Sequence, residues 1–312
     1  MALSTSNVKA TAVEAFFEGL AAVPDSWRSI VNFSDNDVAA LRIASMTGAP
    51  DFSEWAGNTD LDTKSIDSPY SGTTLAATQY GYQVRINRLD VADIPNIVGD
   101  TVRKVGMSLA STYASLAYAN LELGFTGGAS AIPDGKGLFA GDHPTATGTR
   151  SNYGSSALDR SAFMAAVKSF RKWVNYQDQP QDLTPSGFYL VVPPELEQTA
   201  MEVIQSPYAL SAPTSVGAPA DTYTPASVQG EINVAGMFGT TIIVSPYLTD
   251  ANDWFLITKA AGQSPLQFWE RLAPRLATTV DEDSLQTKIS ADFAVATERG
   301  PEPTGAFGSE VS

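Results

Sequence analysis

The 312-residue chain contains no cysteine, which removes disulfides, thiolate metal ligands and a cysteine nucleophile together. Histidine occurs once, as His143, so every dyad, triad or zinc site that needs imidazole must pass through that residue. Charged residues are only 17% of the chain, against about a quarter in an ordinary soluble protein. A surface short of charge is either polar-neutral or covered by a neighbouring subunit. Basic residues are the scarcer sign, 19 against 34 acidic, and the formal charge of −15 repels phosphate backbones and anionic lipid. Sequence-reading nucleic-acid binding is therefore disfavoured. Apolar runs are short, as in Gly187 to Val192, far below the roughly 20 residues that span a bilayer. Met1 to Ala12 lack a basic stretch followed by an apolar one, so no secretory signal is expected.

What is present is a globular composition, 43% hydrophobic and 10% aromatic, with enough length for a large core. Val8, Ala12, Phe16, Leu20 and Val23 recur at helical spacing before Pro24, predicting a short amphipathic helix on an amino-terminal arm. From Phe33 to Asp93 the helical period disappears. Val38 to Ile43 and Tyr80 to Leu89 alternate instead, with Tyr82, Val84 and Ile86 on one face and Gln83, Arg85 and Asn87 on the other. That pattern predicts a long two-stranded excursion with an irregular tip. Ile94 to Gly124 reads as one helix with Pro95 in its first turn, roughly 45 Å long at 1.5 Å per residue. Its apolar positions are Ile94, Ile97, Val98, Val102, Val105, Leu109, Tyr113, Leu116 and Leu123. Gly99, Gly106, Ser108, Ala110, Ala114 and Ala117 keep it slim, so close packing along its length is expected.

Phe125 to Asn152 is rich in glycine turns and reads as a loop. A helix over Ser156 to Tyr176, with Phe163, Ala166, Val167, Phe170 and Val174 inward, precedes a buried strand, Phe188 to Val192. Pro193-Pro194 then opens a helix over Glu195 to Gln205, its two glutamates in the first turn where the helix dipole favours them. Ser206 to Val228 reads as a surface loop, Thr241 to Ser245, Trp254 to Thr258 and Ile289 to Thr297 as strands, and the tail after Gly300 as unpatterned.

Tests for chemistry return little. Asp142-His143-Pro144 lies in a glycine-rich loop without a Gly-x-Ser-x-Gly elbow. Gly135-Lys136-Gly137-Leu138-Phe139-Ala140 fits the loose dinucleotide pattern but follows a turn and leads to no helix. Asp281-Glu282-Asp283 reads as a solvated hairpin tip rather than a cation site, and Asp35-Asn36-Asp37 as a turn. No catalytic, cofactor-binding or metal-binding residue is expected. Trp55, alone among the five tryptophans in lying within the irregular tip, is either a contact anchor or a local loop core.

The order of arm, β excursion, slim helix, glycine loop, mixed α/β region and returning hairpin resembles the α+β Hong Kong 97 fold of bacteriophage major capsid proteins. Five stretches resemble the Mu-like prophage major head protein family: Gly48-Ala49-Pro50 with Ser53 to Gly57, Tyr82 to Asp93, Gly137 to Pro144, Tyr189 to Glu197, and Val244 to Leu248 continued by Asp253 to Leu256. The resemblance implies an arm at 1–33, an extended β E-loop with flanking P-domain strands at 34–90, and a P-domain spine helix with the glycine-rich loop at 91–150. An A-domain at 151–264, a returning P-domain hairpin at 265–300 and a flexible tail at 301–312 complete it. In relatives of the fold an E-loop lysine cross-links to a neighbour; Lys64 is the lone lysine of this excursion, but the Mu-like group is not expected to use that chemistry.

The implied function is a structural one, the repeating subunit of an icosahedral head built from pentamers and hexamers around double-stranded DNA. The implied partners are other copies of the chain, a scaffold with its maturation protease, a portal with its terminase, and decoration proteins, with no membrane; assembly is expected in the bacterial cytoplasm. Two alternatives stand beside it: an encapsulin-like nanocompartment shell, and a soluble hydrolase working through His143 and Asp142.

Overall fold

The computed structural model describes residues 5–35, 40–43, 73–94, 96–127, 132–181, 183, 187–209, 231–259, 264–281, 286–300 and 302–311. The chain forms two compact units, Met1–Leu138 with Ser264–Glu302 and Phe139–Gln263 with Pro303–Ser312. The glycine-rich loop expected to belong with the long helix is thus divided at residue 138.

The first unit contains α1 (Thr5–Ala21), β1 (Val31–Asp35), β2 (Ala40–Ile43), β3 (Thr73–Ala76), β4 (Thr78–Asn87), α2 (Arg88–Asp93) and α3 (Ile97–Glu122). The second contains β5 (His143–Pro144), β6 (Thr149–Arg150), β7 (Tyr153–Gly154), α4 (Arg160–Arg171), β8 (Phe188–Val192), α5 (Glu197–Gln205), β9 (Tyr208–Ala209), β10 (Glu231–Ile232), β11 (Thr240–Val244) and β12 (Trp254–Ile257). The chain then returns to the first unit as the hairpin β13 (Leu266–Asp281) and β14 (Gln286–Arg299), and ends in the second as β15 (Ala306–Ser309).

In the first unit the sheet order is β1-β13-β14-β4, with β1 parallel to β13 and the other pairs antiparallel. Register places Tyr80 opposite Phe293, Val84 opposite Ile289 and Ile86 opposite Thr287. One face is apolar as the alternation predicts, although Tyr82, placed on it, is 59% exposed. Trp27, Tyr113, Phe268 and Phe293 pack at ring distances of 4.5 to 5.3 Å, so one aromatic cluster joins the chain before β1, the helix α3 and the hairpin. The Tyr113 hydroxyl donates to Glu270 Oε2 at 2.9 Å; burial first, then that carboxylate, push its pKa far above the ordinary phenol value.

α1 lies against α3, with Ala12, Ala15 and Phe16 buried. A Cβ on Gly19 would run into the Arg103 carbonyl and one on Gly106 into the Phe16 carbonyl, so glycine lets the two backbones meet. The close packing expected along all of α3 is local: Gly106, Ala110, Ala114 and Ala117 are buried, whereas Ser108 is exposed and nothing lies within 4 Å of a Cβ on Gly99. Of the expected excursion, the antiparallel pair β2 and β3 is described; its tip, including Trp55 and Lys64, lies outside the described residues.

In the second unit the sheet order is β11-β8-β12-β15-β7. Helices α4 and α5 cover one face, packing Phe163, Ala166, Val167, Phe170, Ala200, Val203 and Ile204 on Phe188, Leu190, Val192, Trp254, Leu256 and Phe307. Asp159 caps α4 by accepting from Ala162 N at 2.6 Å. Residues 301–312, expected as a flexible tail, contain the strand β15 between β12 and β7. Alternation could not reveal it, because all four of its residues are buried. Between β9 and β10 the proline-rich loop lies outside the described residues over 210–230.

Candidate assembly surfaces

Any imidazole chemistry in this chain would have to pass through His143, its single histidine. It sits on β5, fully buried, with Nε2 3.1 Å from Asn152 Oδ1. Asn152 Oδ1 also accepts from Ala140 N at 2.9 Å, and its Nδ2 donates to the Ala306 carbonyl at 3.0 Å. With the amide oriented that way, Nε2 carries the hydrogen. The imidazole is thus built into a buried knot that ties the glycine loop to the final strand, while Asp142 beside it is exposed. The link to Asn152 and Ala306 depends on long-range pairing; the repeated glycine turns around His143 were its only sequence signal.

Gly137, of the loose dinucleotide pattern, is equally structural. Gly137 faces the end of α3, where a Cβ would come within 2.6 Å of the Gly124 carbonyl; close backbone packing, not a phosphate, explains that glycine. Among the described residues no group of three or more His, Asp or Glu side chains could hold a metal ion. Residues 282–285 of the acidic hairpin tip and 36–37 of the Asp35 turn lie outside the described residues. Trp27, Trp173, Trp254 and Trp269 are buried. A cavity of about 150 Å³ in the first unit, lined by Ala76, Thr78, Tyr80, Leu116 and Val295 to Glu298, is smaller than the roughly 300 Å³ at which substrate pockets begin.

Surfaces suited to association are more evident. β4 is an edge strand, and β13 beyond Glu270 pairs only with β14 among the described residues. Such edges carry unpaired backbone groups that another chain can meet. Next to that edge Tyr82, Leu89, Val91 and Ile94 are exposed. In the second unit Met237, 69% exposed, and Tyr153, 38% exposed, stand apart from the packed core. Large apolar side chains left in water are the usual anchors of protein contacts.

The described residues thus offer buried aromatic cores and open sheet edges. A family model described as phage capsid protein matches residues 71–308, and the chain belongs to that family. No curated protein matches it. Its fold is similar to the procapsid of bacteriophage JBD30, at 15% identity and a TM-score of 0.52 over 99% of this chain and 77% of that one. It is also similar to the capsid of the cyanophage P-SCSP1u, at 12% identity and 0.58 over 91% and 86%. A virus-like particle from Pyrococcus furiosus gives 10% identity and 0.54 over 96% and 98%. The α+β Hong Kong 97 type fold is therefore present. The chain is a phage major capsid protein, structural rather than enzymatic, which self-assembles as the shell of the virion.

Proposed function

We propose that the chain is the head subunit of a Mu-like tailed phage or prophage, assembling through pentamers and hexamers into an icosahedral shell around double-stranded DNA. The observation that carries this reading is the family match over residues 71–308, supported by five Mu-like stretches in their expected order. In it, residues 1–33 are the arm, 34–90 the E-loop with its strands, 91–150 the spine helix and glycine loop, 151–264 the A-domain, 265–300 the returning hairpin and 301–312 the final segment. Function then resides in interfaces, with no catalytic, cofactor or metal residue. A scaffold with its protease, a portal with its terminase and decoration proteins are the further partners, and assembly takes place in the bacterial cytoplasm. The net charge of −15 leaves packaged DNA unattached to most of the subunit surface.

The test is light scattering of purified protein over a concentration series, with negative-stain electron microscopy of the same samples, alone and with the neighbouring scaffold gene co-expressed. Hollow particles of megadalton mass are expected. A 33.0 kDa species under both conditions would overturn the shell. The ultraviolet absorbance ratio of particles purified from the native host then separates a genome-filled head from a protein-filled compartment.

A further inference from the structure

The second unit is electrically polarised along its strands. β8, β11, β15 and β7 run in one direction and β12 runs against them, so the sheet has a start end at Phe188, Thr240 and Ala306 and a finish end at Val192, Val244 and Ser309. α4 leaves the finish end, where Ser156 accepts from Trp254 Nε1 at 3.0 Å and from Ser309 Oγ at 2.8 Å. It reaches the start end, where Phe170 packs on Phe188 at 5.4 Å. α5 also begins at the finish end, after Pro193 and one 3-10 turn over Pro194–Leu196 that follow Val192.

Sequence then distributes charge unevenly between these ends. Of the six basic residues in 139–263, Lys168, Arg171 and Lys172 are exposed on the last turn of α4, and Lys259 follows β12, all at the start end. The finish end exposes Asp159, Glu195, Glu197, Asp250 and Glu310, with one base, the half-buried Arg160. Asp178 and Glu202 depart from the pattern, each engaged locally, by Thr147 and by Gln198, and the exposed Asp142, beside β5, belongs to neither set. Lys168, Arg171, Lys172, Glu195 and Glu197 have no ion-pair partner among the described residues, and the length of the sheet separates the two sets. Both helix dipoles favour these signs locally, but each offers only about half a charge against whole charges on the side chains. Each end also carries an exposed apolar residue: Met237 beside the Arg171 and Phe238 stack at the start end, Tyr153 at the finish end.

We propose that the basic start end of the second unit, with Met237, docks on the acidic finish end, with Tyr153, of a second copy of this chain. The occupant is argued from charge complementarity: each patch is the counterpart of the other, so two unlike surfaces of identical chains meet head to tail. That is the contact which closes into rings, and opposite charges give it steering and register. The inference rests on the shell reading and adds to it which faces meet.

Two variants test it, K168E/R171E/K172E, acidic at both ends, and E195K/E197K/E310K, basic at both ends, each first confirmed folded by near-ultraviolet circular dichroism. Wild-type protein runs in parallel, alone and with the scaffold gene co-expressed; if it forms no particles under either condition, the shell reading has failed and the proposal falls with it. If wild type assembles, each variant alone is expected to need at least about tenfold more protein to assemble. Mixed one to one, the two variants alternate favourably only around rings of even number, so hexamer-based sheets or tubes are expected in place of closed shells. The chain carrying all six reversals restores the pairing in every copy and is expected to assemble as wild type does. Assembly of either folded variant at the wild-type threshold, or failure of both the mixture and the sixfold variant, would overturn the proposal.

Discussion

The two units solve the problem of a stable subunit differently. The first joins elements far apart in sequence, the chain from Trp27 into β1, α3 and the returning hairpin, through the aromatic cluster around Tyr113 and Phe268, and leaves long strand edges with exposed apolar residues beside them. The second gathers α4, α5 and five short strands about a continuous apolar core and presents charge at its ends. The comparison teaches that one subunit can offer two kinds of contact, extended backbone edges from one unit and a charged, side-chain surface from the other, without reshaping either core.

The largest expected effect breaks the second unit alone. Removing residues 304–312 takes away β15, whose Ala306 to Ser309 pair with Ile257 to Trp254 on one side and meet β7 on the other. The buried edge of β12 would be left with unpaired backbone groups, at about 1–3 kcal/mol each. Hydrogen exchange should show loss of protection throughout β8 and β12. Protection retained there would mean that the final strand is dispensable to the core.

Gly106→Leu is the matching break in the first unit. Its side chain has no room at the Phe16 carbonyl and Leu20 nitrogen, so α1 must lift from α3, at a cost of about 3 kcal/mol or more. Calorimetry should show a lower melting temperature, whereas Gly99→Ala, where nothing lies within 4 Å, should raise it slightly through helix propensity. The pair of variants sharpens the distinction between a slim helix and one glycine crossing.

Next in size is Asn152→Ala. It leaves the His143 imidazole, the Ala140 amide and the Ala306 carbonyl short of a partner, for an expected loss of about 2–4 kcal/mol. Denaturant-dependent hydrogen exchange at the amides of β8 and β12 reports this unit. A stability equal to wild type would show that the buried knot contributes nothing and would return His143 to consideration.

Much of both cores was legible because periodicity survives wherever one face is buried and the other is wet. Phe163, Ala166, Val167 and Phe170 announce α4, and Tyr82, Val84 and Ile86 announce β4, although Tyr82 itself stays exposed. Ala306 to Ser309 did not, since a strand buried on both sides has no alternation to read. The meeting of Gly19 with Gly106 depends on chain crossing, which composition does not record. The polarity of the second unit was hidden for a related reason: Glu195 and Glu310 are 115 positions apart in the chain, and only the sheet brings both to one end. His143 was identified as the one residue able to carry imidazole chemistry, but its burial and its tie to Asn152 are properties of the fold.

The smallest effect concerns the polar face of the first sheet, where Arg275 on β13 pairs with Asp292 on β14. Arg275 Nε lies 2.7 Å from Asp292 Oδ1, and Gln79 Nε2 donates to Oδ2 at 3.3 Å. The hydrogen bond from Arg275 leads the causes that hold the Asp292 carboxyl below the ordinary aspartate value of 3.8. A carboxyl depressed in the folded state binds fewer protons there than in the unfolded chain, so its contribution is complete above the unfolded pKa and fades as pH falls through the lower folded one. The Arg275 side chain is 74% exposed, and solvent and salt screen the pair. Arg275→Ala should therefore lower the melting temperature of the first unit only slightly at pH 7. The difference from wild type should shrink as pH drops below the ordinary aspartate range and shrink again at high salt. A deficit that stays constant from pH 7 to pH 3 would instead assign the effect to the packing of the Arg275 aliphatic stem on the sheet, since that packing carries no proton.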